Sequence, residues 1–93
     1  MNHINKNILK EGLIQLSLNT QLIIAIEELS ELQKEICKDK RGLYNSEHMA
    51  EEMSHAIFMI DQLLVVYDNE NLVQGYYNKA IQRYKNLLSR GAK

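Results

Sequence analysis

Ninety-three residues make a single domain, and with no proline and only four glycines the chain lacks the turn punctuation that strands need. Acids and bases nearly cancel, 12 against 11 for a formal net charge of −1, which argues against a general nucleic-acid binder or a polybasic membrane protein. A lone cysteine, Cys37, excludes an internal disulfide and a cysteine-rich zinc cluster, and points to a reducing, cytoplasmic setting.

The first residues, MNHINKNILKEG, show no long apolar core of the kind a signal peptide carries. No run reaches the roughly 18 apolar residues of a membrane span. The expectation is therefore one soluble, cytoplasmic, all-α domain over residues 1–93. Four helices are predicted. The first covers about Asn5 to Leu18 and carries Ile8, Leu9, Leu13, Ile14, Leu16 and Leu18. Asn19-Thr20 interrupts it and offers a cap for the next helix, about Thr20 to Lys38. There Leu22, Ala25, Ile26, Leu29, Leu32 and Ile36 form an apolar stripe at helical spacing.

KDKRGLYN (38–45) reads as the clearest loop, with Gly42 as the stop signal and Ser46 as the cap of a third helix to Tyr67. Its core stripe is Met49, Met53, Ala56, Ile60 and Leu63. Asp68-Asn69 breaks the chain again, and a last helix, about Glu70 to Ser89, packs through Val73, Tyr76, Tyr77, Ala80, Tyr84 and Leu87. These tyrosines suit a core or a subunit interface better than base stacking. Four short amphipathic helices with apolar positions to spare predict a compact four-helix bundle completed by oligomerisation, as a homodimer or homotetramer.

Two helices carry the chemistry. On the second, Glu28, Glu31 and Glu35 recur at i, i+3 and i+7 and share a side. A solvated face, offset by Lys34 and Lys38, is the ordinary reading of such a helix. Ile23 and Ile24 nevertheless make much of the helix look buried, and carboxylates there need a partner such as a hard divalent cation. On the third, Glu52 and His55 are one turn apart. A lone histidine on an apolar helix is commonly structural. If the two helices pack antiparallel, however, Glu28 and Glu31 face Glu52 and His55, and facing carboxylates with a Glu-to-His step of three can hold a metal inside a bundle. Imidazole in the set favours Mn²⁺ over Mg²⁺.

The stretch TQLIIAIEELSELQKEICKDKRG, followed by EHMAEEMSHAIFMIDQL, resembles the MazG-like all-α nucleotide pyrophosphohydrolases over roughly residues 15–88. Their Glu-Glu-x-x-Glu motif is matched by Glu27, Glu28 and Glu31; their second motif, Glu-x-x-Asp, is matched at Glu52 but has His55 at the aspartate position. The resemblance implies hydrolysis of a nucleoside triphosphate to monophosphate and pyrophosphate at Mg²⁺, or Mn²⁺ given the histidine. It assigns Glu28, Glu31 and Glu52 as catalytic metal ligands with His55 as a fourth. Glu27 and Glu51 would stand behind them, and Gln21, Lys79 and Arg83 would lie along the nucleotide and its phosphates. Lys79, Arg83, Asn86 and Arg90 do form a stripe on the last helix, otherwise read as solvated; Lys38, Lys40 and Arg41 of the loop could also approach the phosphates.

Losing one anionic ligand to His55 leaves a second expectation open. As an enzyme the chain would be a housekeeping or phage-type nucleotide-pool protein; in the second reading it is a nucleotide-sequestering protein that holds a nucleotide, including a cyclic or signalling one, without turnover. A helical protein-interaction module ranks third, because it leaves the two linked acidic spacings unexplained.

Overall fold

The structure, a computed structural model, describes residues 6–91. Within them the chain forms four helices and no strand: α1 (Lys6–Gln15), α2 (Leu18–Lys40), α3 (Ser46–Tyr67) and α4 (Glu70–Ser89). None is long and apolar enough to cross a membrane. The expected start of α1 at Asn5 lies outside the described residues.

Local chemistry sets the boundaries. Ser17, in extended conformation, caps α2 by accepting from the Thr20 amide at 3.1 Å. The cap therefore lies two residues before the expected Asn19-Thr20, which belong to the first turn. At the other end Gly42 takes a left-handed φ of 79°. Its amide donates to the Asp39 carbonyl and that of Leu43 to the Lys38 carbonyl, both at 2.9 Å, closing the helix with a six-to-one and five-to-two pair. Lys38 and Lys40 in this last turn complement the negative end of the helix dipole. Asn45, rather than Ser46, caps α3, its Oδ1 accepting from the His48 amide at 3.0 Å. Asp68, left-handed at φ 49°, ends α3 at the expected break.

α2 and α3 form an antiparallel hairpin, and α1 packs against α3. The buried apolar residues are Leu9, Ala25, Ala56, Met59 and Leu64; small Ala25 and Ala56 let the helices approach closely. Lys6 of α1 bridges to Glu70 at 2.8 Å, which holds the Lys6 ammonium above its usual range.

The expected compact four-helix bundle does not close within one chain. α4 buries no residue: Val73 and Gln74 near its start are half-buried and everything from Gly75 onward is exposed. Tyr76, Tyr77, Tyr84 and Leu87, predicted as packing residues, stand in the open, as do Ile26 and Ile36 of α2 and Met53 and Ile60 of α3. Ile23, taken as a sign that α2 is largely enclosed, is also exposed. The amphipathic pattern identified faces that must be covered, and a single copy does not cover them.

Candidate metal centre

The hairpin register brings the acidic residues of α2 against α3. His55 Nδ1 lies 3.0 Å from Glu28 Oε2 and 3.9 Å from Glu52 Oε1. Seven residues on along α2 and seven back along α3, His48 Nδ1 lies 3.9 Å from Glu35 Oε1. Two Glu–His rungs thus span the hairpin two helical turns apart, and between them Glu31 and Glu52 border the same shallow depression. Like charges across a helix pair repel, so this middle rung suits a cation.

Glu28, Glu52 and His55 each offer a ligand atom within 4.8 Å of the others, and all three side chains are half-buried. Glu52 Oε2 is buried without a hydrogen-bond partner, an anionic oxygen that still needs a positive neighbour. Two carboxylates and an imidazole, with Glu31 adjoining, fit Mn²⁺ or another transition ion better than a hard ion such as Mg²⁺. The fit sets a condition: Nδ1, 3.0 Å from one carboxylate and 3.9 Å from the other, can ligate only through a free lone pair.

The remaining residues singled out from the sequence fall in different places. Glu31 pairs with Lys34 at 3.5 Å. Glu51 borders the depression with Glu31, Glu35, Lys38, His48 and Glu52. Glu27 does not; one residue from Glu28 is 100° around the helix, and it faces solvent. Lys38 reaches the depression but is tied to Glu35 at 3.0 Å, while Arg41 borders a separate recess beside Cys37. Lys79 and Arg83 are carried away on α4, with the Lys79 ammonium 5.1 Å above the Tyr76 ring.

Gln21 is not open to a ligand. It is 1% exposed, and α1 covers it at Gly12, where an added Cβ would stand 3.9 Å from Nε2. Neither amide atom has a protein partner. Gln21→Leu is therefore expected to raise the unfolding free energy by about 1 kcal/mol in a urea titration. A comparable loss would show instead that the amide is satisfied by an internal water.

Sequence reasoning missed the part played by Glu35 and His48. Glu35 is 8% exposed, more buried than any ligand candidate. The signal was present: Glu28 and Glu35 are seven apart, and so are His48 and His55. A second hollow, about 90 Å³, is bordered by Lys6, Lys10, Asp61, Asp68 and Glu70. It has room for about three waters, and its charges are mixed.

Comparison with protein-family models, with curated proteins and with solved structures found no match to this chain.

Proposed function

We propose that the α2–α3 hairpin is a divalent-cation centre for a nucleoside triphosphate, and that the protein is a MazG-like, metal-dependent pyrophosphohydrolase releasing monophosphate and pyrophosphate. The observation that carries this reading is the meeting of Glu28, Glu52 and His55 from two helices within 4.8 Å. The two-motif resemblance supplies the reaction.

The acids themselves repel a triphosphate, so these residues can receive one only through a cation. When bound, that cation offsets phosphate charge and makes water a stronger nucleophile. Glu28 and Glu52 would hold the ion from opposite helices of the hairpin. The His55 ring lies 3.0 Å from Glu28, so the two would share the ion. Glu31, exposed on the same depression, would take the proton that the attacking water gives up. The depression itself, about 170 Å³, is smaller than the roughly 300 Å³ at which small-molecule pockets begin. It suits the phosphates rather than the whole nucleotide.

The His55–Glu28 contact also favours a second reading. It already sets a carboxylate 3.0 Å from the imidazole without an ion, which suits a protein that retains a nucleotide and does not turn it over. One experiment separates the two. Purified protein is incubated with each nucleoside triphosphate and either Mn²⁺ or Mg²⁺, and pyrophosphate and monophosphate are quantified. Release of both, faster with Mn²⁺, is the expected result. Intact nucleotide recovered from the protein without pyrophosphate would favour sequestration, and neither binding nor release would overturn both readings.

A further inference from the structure

We propose that the hollow between α1, the second half of α3 and the start of α4 binds a small amino acid as its zwitterion. The sequence builds two walls for it. Lys6, Leu9 and Lys10 share one face of α1 at i, i+3 and i+4. Asp61, Leu64, Val65 and Asp68 share one face of α3 at i, i+3, i+4 and i+7. These residues, with Glu70 of α4, border the hollow of about 90 Å³. Asp61 lies nine residues beyond Glu52, about 180° around α3, so the hollow is turned away from the candidate metal centre.

The polar groups of these walls do not satisfy one another. Lys6 is held by Glu70 at 2.8 Å. Asp61 is only 9% exposed, yet among the described residues it makes neither a hydrogen bond nor an ion pair. Lys10 borders the same hollow and likewise has no ion pair there. A carboxylate that gives up most of its water needs a donor in return. Two opposite charges thus share one small space without meeting.

The chemistry of the occupant follows from what is unmet. A metal ion needs ligand atoms that converge, and Asp61, Asp68 and Glu70 form no such group among the described residues. A simple ammonium would meet Asp61 and be repelled by Lys10; a simple anion would meet Lys10 and be repelled by Asp61. A zwitterion answers both, its ammonium donating to Asp61 and its carboxylate accepting from Lys10. Leu9, Leu64 and Val65 leave a place for a short aliphatic side chain. Room for about three waters limits that side chain to a size such as alanine's. The bound molecule ties α1 to α3, and a helix of ten residues has little stability of its own.

The test titrates free L-alanine and glycine into the whole chain and follows amide proton–nitrogen correlation spectra. Saturation with a dissociation constant of about 0.1–1 mM is expected, with shifts centred on Leu9, Lys10, Asp61 and Leu64. At about ten times that constant, amide hydrogen exchange in α1 should slow by about 10-fold. Lys10→Met and Asp61→Asn should each weaken binding by about 10-fold. Asp61→Asn should do so without lowering the stability of the empty protein, since it removes an unpaired buried charge; a purely structural Asp61 would lower it. Ethylamine and propionate, with one charge each, should bind about 10-fold more weakly than alanine. No spectral change up to about 20 mM of either amino acid, shifts that persist in both variants, or ethylamine binding as tightly as alanine would each overturn the proposal.

Discussion

Glu52→Gln is expected to weaken Mn²⁺ binding by about 100-fold in calorimetric titration, without loss of helical structure. Glu52 brings the one carboxylate oxygen of the cluster that is buried and has no partner, and its other oxygen faces His55 at 3.9 Å. Glutamine keeps the shape and removes the charge. It also relieves repulsion with Glu31 across the middle rung, so stability without metal should hold or rise. That combination, weaker ion binding in an equally stable protein, is what a ligand position gives and a structural position does not. Unchanged Mn²⁺ affinity would remove Glu52 from the centre.

His55→Asp has the second large effect, and it acts in two directions. An aspartate supplies the carboxylate that the MazG-like second motif has at this position, and it should raise Mg²⁺ affinity by about 10-fold, because a hard ion gains an anionic oxygen. Without metal the same change replaces the imidazole that lies 3.0 Å from Glu28 with a further carboxylate in an acidic cluster. The metal-free variant should therefore lose about 1 kcal/mol of stability in a urea titration through like-charge repulsion, and saturating Mg²⁺ should restore it. If the variant also releases pyrophosphate faster than the natural chain, His55 limits turnover; equal ion affinity would show that position 55 lies outside the coordination.

The helices were legible because their ends are written in local chemistry. Gly42 was identifiable as a stop, since a left-handed residue at that point is best supplied without a Cβ. Asp68-Asn69 was identifiable as a break between α3 and α4. Cap assignment slipped by one or two residues, at Ser17 and Asn45, because neighbouring serine, threonine and asparagine can all accept the same amides. The candidate centre was legible in its ligands: antiparallel packing across a short loop was enough to set Glu28 against His55.

Gln21 was hidden because a glutamine near a helix start carries no mark of burial; only the approach of α1 at Gly12 encloses it. The placement of α4 was hidden for a different reason. Periodicity shows that Tyr77, Ile81, Tyr84 and Leu88 form a face, and in the structure that face is exposed. Periodicity does not specify whether the chain folds back to cover it. The same ambiguity separates Lys79 and Arg83 from the acids they were expected to join.

The central claim is that acids from α2 and α3 meet His55 around one divalent ion. Electron spin echo envelope modulation of the protein loaded with a single equivalent of Mn²⁺, free of nucleotide, tests it most directly. Modulation from a directly bound imidazole nitrogen, absent in His55→Ala and changed in frequency when histidine is labelled with ¹⁵N, is the predicted result. Bound Mn²⁺ whose spectrum is the same in the natural chain and in His55→Ala, or Mn²⁺ that remains free in solution, would contradict it.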